Sequence, residues 1–233
     1  MLLSFGASVV GPGHQRDGLP NQDAWGHRAV SGGRLVVAAD GLGSAPNARE
    51  GARAACRAVP DAMRLWLRRG GASDTVLPAL IHVIWRAELG EVPPETASTT
   101  CLFAYLRPDG SGILGMLGDG LILSAEPSGL RTFGDREQDS FSNQTAALGI
   151  TRRVLAWELC RLSAGEKTVV LCTDGVSDDL LPGRHSEFVE WLETEIAPLA
   201  PGRRWRALAT ALRDWPTPHH IDDKTIAVLR RTS

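Results

Sequence analysis

What most constrains this chain is the repeated placement of an aspartate at the end of an apolar, β-prone run. Leu35-Val36-Val37-Ala38-Ala39 leads into Asp40-Gly41-Leu42-Gly43, and Val169-Val170-Leu171-Cys172 leads into Thr173-Asp174-Gly175. Asn21-Gln22-Asp23-Ala24, Gly118-Asp119-Gly120 and Asp222-Asp223-Lys224-Thr225 set further aspartates in strand-to-turn contexts. Strand ends are rigid, so carboxylates carried there can be aimed at one point. Converging carboxylates without a cation repel one another, and a cluster of this kind normally encloses divalent metal. The expected chemistry is that of a hard ion with oxygen ligands; a metal held by histidines and cysteines does not suit this residue set.

The 233 residues suit one domain spanning 1–233, and an apolar fraction of 43% is ample for a packed core. Lys and Arg number 25 against 27 Asp and Glu, a net charge of -2, with no basic block to track a phosphate backbone. Nucleic acid is therefore not an expected partner. The N-terminus lacks a charged segment followed by a long apolar one, and no stretch approaches the ~20 apolar residues of a membrane span. These features lead us to expect a cytoplasmic protein, with no membrane partner, that acts as a monomer. Cys56, Cys101, Cys160 and Cys172 show no CxxC spacing and read as reduced, buried small hydrophobes.

Along the chain, Leu3 to Val10 reads as a strand and Gly11-Pro12-Gly13-His14 as the start of a polar loop ending at Asn21-Gln22-Asp23. A strand at Leu35 to Ala39 precedes an amphipathic helix with Ala52, Ala55, Cys56, Val59, Met63, Trp66 and Leu67 on one face, which Pro60 is expected to kink. A second helix follows, with Ser73-Asp74 as its expected N-cap. Short β-prone runs at Thr99–Leu106, Gly112–Leu117, Leu121–Ser124 and Leu130–Phe133 suggest an antiparallel meander. Gly134 to Gly149 reads as a surface loop, and strands are expected again at Arg153–Leu162 and Thr168–Thr173. Helical spacing returns through Phe188, Leu192, Ile196 and Leu199, then through Trp205, Leu208, Leu212 and Trp215, before a last strand at Thr225–Leu229. Helices paired between runs of antiparallel strands imply the α+β class: two stacked antiparallel sheets flanked by helix pairs, a four-layer α-β-β-α sandwich.

Six motifs in this order resemble the type 2C, metal-dependent (PPM) serine/threonine protein phosphatases, and more closely their short bacterial members, over nearly the whole chain. They are Asn21-Gln22-Asp23-Ala24, Ala39-Asp40-Gly41-Leu42-Gly43-Ser44, Ala97-Ser98-Thr99-Thr100, Leu117-Gly118-Asp119-Gly120, Cys172-Thr173-Asp174-Gly175-Val176-Ser177-Asp178 and Asp222-Asp223-Lys224-Thr225. The resemblance implies a centre of two Mg²⁺ or Mn²⁺ ions between the sheets, with Asp40 bridging and the Gly41 carbonyl assisting. Asp23 would serve one ion, and Asp174 with Asp222 the other. Asp119, with Asp174, matches the place of a third, weaker ion in some members. Such a centre activates water for in-line attack on phosphoserine or phosphothreonine. The partners implied are phosphoproteins and a cognate serine/threonine kinase.

The chain departs from that pattern in places. Gly18 stands where many relatives carry a phosphate-holding arginine; Arg16 is the first candidate to replace it, with His14 the alternative. Gln22 replaces a glutamate but keeps a carbonyl oxygen able to hold a bound water. Leu42 cannot donate the proton that a histidine there is proposed to give, and His14, His219 or a metal-bound water could take over. Ser44 stands for a second glycine. Asp223 and Asp178 read as residues behind the ligands, His219-His220 as exposed loop residues, and Ser98-Thr99-Thr100 as strand structure. The competing functions are a phosphoprotein phosphatase, a catalytically weak pseudophosphatase that binds phosphoproteins as a regulatory module, and a phosphomonoesterase for small metabolites.

Overall fold

The architecture is described from a computed structural model, for residues 1–71, 73–134, 146–151, 156–165, 167–217 and 221–232. The elements are β1 (Leu2–Val9), α1 (Pro12–Asp17), β2 (Ala24–Val30), β3 (Gly33–Ala39), α2 (Ala48–Arg68), α3 (Val76–Leu89), β4 (Cys101–Leu106), β5 (Gly112–Leu117), β6 (Leu121–Glu126), β7 (Gly129–Phe133), β8 (Glu158–Leu162), β9 (Lys167–Cys172), α4 (Asp174–Ser177), α5 (His185–Trp191), α6 (Pro201–Arg213) and β10 (Lys224–Arg231). Five strands in the order β1-β10-β9-β6-β7 form one sheet, and β2-β3-β4-β5-β8 form the other. Every pairing is antiparallel. The four-layer α-β-β-α sandwich expected from the sequence is the observed fold.

The reason lies in how each strand spends its two faces. In β3, Leu35, Val37 and Ala39 join the cluster under α2 and α3, while Val36 and Ala38 face the other sheet. In β10, Ile226 and Val228 pack with α5 and α6, and Ala227 and Leu229 point between the sheets. Side chains alternate along a strand, so one that is covered on both faces must be apolar at every position. The uninterrupted runs in the sequence are that signature.

Several local expectations are corrected. The Gly11–His14 stretch opens a helix: Pro12 takes the first turn, where its missing N–H costs nothing, and Gly18 ends α1 at φ 68, its N–H donating to Gln15 O. β2 was not expected; it pairs with β3 through a tight turn in which Ser31 and Gly32 sit at φ 45 and 80. The helix α2 stays a single helical span through buried Pro60, and α3 has its N-cap at Thr75, one residue past Ser73-Asp74, without a side-chain cap bond. The strands from β4 to β7 are not one meander, because β4 and β5 lie in one sheet and β6 and β7 in the other. The chain crosses at Gly118-Asp119-Gly120, where both glycines hold φ near 100, at 100 and 107. Residues 135–145 of the expected surface loop and 152–155 at the start of the expected Arg153 strand lie outside the described residues; β8 begins at Glu158. Among the described residues no helix is long and apolar enough to cross a membrane.

Candidate metal centre

Asp40 continues the inward alternation of β3, two residues beyond Ala38, and so enters the space between the sheets at their edge. Three bonds fix its backbone. Its N–H donates to Thr100 Oγ1 at 3.0 Å, and its carbonyl accepts from Thr99 Oγ1 at 2.8 Å and from the Thr100 N–H at 2.8 Å. Gly41 forms an isolated bridge with Thr99. The hydroxyls expected to be strand structure thus brace the aspartate that the resemblance makes the bridging ligand; β4 itself starts only at Cys101.

The other aspartates arrive from four separate segments. Asp174 opens α4 directly after β9, and Asp119 sits at the crossing between sheets. Carboxylate oxygens of Asp40, Asp119 and Asp174 lie within 4.8 Å of one another. Asp23, 6% exposed, accepts a 2.7 Å bond from Thr173 Oγ1 at Oδ2, and its N–H is held by Asn21 Oδ1 at 3.0 Å. Thr173 Oγ1 in turn accepts the Thr225 N–H at 3.1 Å, tying the Asp23 support to the end of β9 and to its neighbour β10. Asp222, with its side chain 40% exposed, stands just before β10; its carbonyl accepts from Lys224 Nζ at 3.1 Å and its Oδ1 from the Asp223 N–H at 2.8 Å.

Asp223 is buried and works as a clasp. Its Oδ1 accepts the Gly11 N–H at 2.8 Å and its Oδ2 the Gln22 N–H at 2.5 Å, so one carboxylate pins both ends of the segment that carries α1. Close packing requires Gly11 there: a Cβ would stand 2.1 Å from the Asp222 carbonyl oxygen. On α1, His14 Nδ1 approaches Asp223 Oδ2 to 2.9 Å and Asp222 Oδ1 to 3.6 Å. Arg16 has its side chain 69% exposed and its Nε 3.6 Å from Asp17 Oδ1. Leu42 is partly buried and Ser44 exposed. His219 and His220 lie outside the described residues, and Asp178 follows as the C-cap of α4.

Electrostatics confirm that the charge is crowded. Burial lifts the Asp23 carboxyl to about 7, against the pull of the neighbouring Asp40, Thr225 and Thr173 side chains, and the Asp223 charge adds to the rise. Asp40 is driven well above the carboxylate range by burial first, then by the charges of Asp23 and Asp174 and by Asp222. Burial lowers the ammonium of Lys224, which four aspartates nearby oppose. Such a group of carboxylates is stable in its charged form only with a cation among them.

The residues fit a divalent cation by a second, independent observation. Asp23 Oδ1, Gln22 Oε1 and His14 Nδ1 are sealed from solvent with no hydrogen-bond partner, and buried polar atoms are rarely left so unless something else satisfies them. Sequence reading foresaw the aspartates but not Thr173, Thr225, Thr100 or Lys224. A hydroxyl adjoining a motif aspartate is the signal that could have found Thr173, which directly precedes Asp174.

Comparison with known proteins agrees with this geometry. The family model described as protein phosphatase 2C matches residues 10–215. Among curated proteins none matches the sequence. Among solved structures, the photosystem II phosphatase PBCP superposes with a TM-score of 0.69 at 14% identity, covering 100% of this chain and 99% of that one. The serine/threonine phosphatase Stp1 from Staphylococcus aureus gives 0.64 at 16%, covering 100% and 96%. RsbX, crystallised in complex with magnesium, gives 0.60 at 13%, covering 99% and 96%. These similarities establish the fold, and the family match over most of the length shows that this chain belongs to the protein phosphatase 2C family of metal-dependent serine/threonine phosphoprotein phosphatases.

Proposed function

We propose that this chain hydrolyses phosphoserine and phosphothreonine in phosphoproteins at a centre of two Mn²⁺ or Mg²⁺ ions. The observation that carries the reading is the convergence of Asp40, Asp119 and Asp174 within 4.8 Å beside a buried Asp23 whose Oδ1 has no donor. Bound there, two divalent ions would supply Lewis acidity, acidifying water and withdrawing charge from the phosphoryl oxygens.

The chain's own residues then have separable tasks. Asp40 is proposed to bridge the ions with the Gly41 carbonyl beside it, Asp23 to serve one ion, Asp174 and Asp222 the other, and Asp119 with Asp174 a weaker third. Rigid strand ends hold these oxygens in place, so little reorganisation accompanies binding of the substrate phosphate. Gln22 Oε1, buried and unpartnered, is proposed to hold a water without adding charge. His14 is proposed to give a proton to the leaving alcohol, and Arg16, exposed on α1, to offer its guanidinium to the phosphate. The same reading makes the protein a cytoplasmic monomer that opposes a serine/threonine kinase.

The test is release of phosphate from a phosphothreonine peptide and from p-nitrophenyl phosphate by purified protein in Mn²⁺, Mg²⁺ or EDTA. Metal-dependent turnover that favours the peptide supports the proposal. A folded protein that binds the phosphopeptide without turning it over would instead be a regulatory binding module.

A further inference from the structure

His14 changes the donor set. All the ligands named above offer oxygen, yet an imidazole nitrogen stands 2.9 Å from Asp223 Oδ2 and 3.6 Å from Asp222 Oδ1. The three side chains form a group of their own, in which one atom of each lies within 4.8 Å of the others, apart from the Asp40, Asp119 and Asp174 group. Nδ1 is sealed from solvent and, although 2.9 Å from Asp223 Oδ2, meets no partner in hydrogen-bonding alignment. A buried polar atom left so is rarely without something to satisfy it, and a cation among the three side chains would do so.

The distances suit that cation. Two donors each about 2.1 Å from one first-row ion stand about 3.0 Å apart at a right angle and about 3.4 Å apart in a tetrahedron. The separations of 2.9 and 3.6 Å bracket that range. The oxygens of Asp223 are already oriented from behind by the Gly11 and Gln22 N–H groups, the kind of support that fixes a ligating carboxylate. Asp222 is steadied by Lys224 through its carbonyl.

We infer that His14 Nδ1, Asp222 Oδ1 and Asp223 Oδ2 form a separate nitrogen-and-oxygen site for a divalent transition-metal ion, sharing Asp222 with the Asp40 centre. A mixed set of one imidazole and two carboxylates selects Mn²⁺, Co²⁺ or Zn²⁺ over Mg²⁺, which prefers oxygen and its own water. The site rests on the metal-dependent reading above through the shared Asp222.

The experiment is proton NMR of the full chain loaded with Co²⁺, with bound cobalt counted by elemental analysis. An imidazole bound through Nδ1 keeps its Nε2–H, which the paramagnetic ion shifts far downfield and which disappears in D₂O; an all-oxygen site has no such proton. The inference expects one exchangeable shifted resonance in the wild type, retained in Asp40→Asn and lost in His14→Gln together with about one bound ion per chain. Cobalt bound without that resonance would overturn the inference and leave the Asp40 centre standing. Failure to bind cobalt at all would overturn both.

Discussion

Thr173→Val is the substitution that most sharply tests how the aspartate cluster is held. Valine has threonine's shape, and the site is only 1% exposed, so packing is preserved while one hydroxyl is lost. That hydroxyl makes two bonds, donating to Asp23 Oδ2 at 2.7 Å and accepting the Thr225 N–H at 3.1 Å. Leaving the buried Thr225 N–H without an acceptor costs about 1–3 kcal/mol, and a bond to an ionised carboxylate contributes about 1.5–3 kcal/mol against about 1 for a neutral one. With Asp23 titrating at about 7, the expected loss in metal-free protein is about 4 kcal/mol at pH 8 and about 3 kcal/mol at pH 6. Urea unfolding in EDTA at the two pH values measures it, with Thr173→Ser expected to lose less than half as much. A loss under about 1 kcal/mol, or one larger at pH 6 than at pH 8, would refute the reasoning.

Other expectations follow from the same geometry. Metal-free protein should lose stability as pH rises from about 4 to about 7, because the unfolded chain releases protons near the ordinary carboxylate value of 3.8 while folded Asp23 and Asp40 still hold theirs. The benefit of protonated Asp23 is complete below that window and gone above it, and raised Asp40 adds in the same direction; saturating Mn²⁺ should flatten the decline in thermal melts, and an unchanged slope would count against the cluster as the metal site. Asp40→Asn and Asp174→Asn should lower kcat on a phosphothreonine peptide by at least about a thousandfold, the scale of losing a main electrostatic stabiliser. Asp223→Asn, outside the Asp40 centre, should leave Mg²⁺-supported activity within about tenfold while costing about 2 kcal/mol of stability, since an amide can accept from only one of the two backbone N–H groups. Equal activity losses in all three would show that the ligands are wrongly assigned.

How far the sequence could be read depends on the range of the interaction concerned. Asp40 and Asp174 were legible because each follows a strand that is apolar on both faces, a pattern written in consecutive residues. The helix pairs were legible for the same reason, through spacing alone. α1 was not, because Gly11-Pro12-Gly13 reads as a break, whereas Pro12 opens the helix and Gly11 lets the backbone pack against Asp222. The crossing at Asp119 was hidden because two antiparallel hairpins look alike whether they share a sheet or divide between two. Asp223 was read as lying behind the ligands of the Asp40 centre. That it clasps Gly11 and Gln22 and faces His14, some two hundred residues away along the chain, depends on β1 and β10 lying side by side. No local pattern records that pairing.

The central claim is that carboxylates from separate strand ends enclose divalent metal, and anomalous diffraction at the manganese edge from crystals soaked in Mn²⁺ tests it most directly. Two peaks roughly 4 Å apart with Asp40 between them, as expected of a two-ion hydrolytic centre, are what the account predicts. Ordered crystals with no anomalous peak between the sheets, or with manganese only at exposed surface carboxylates, would contradict it.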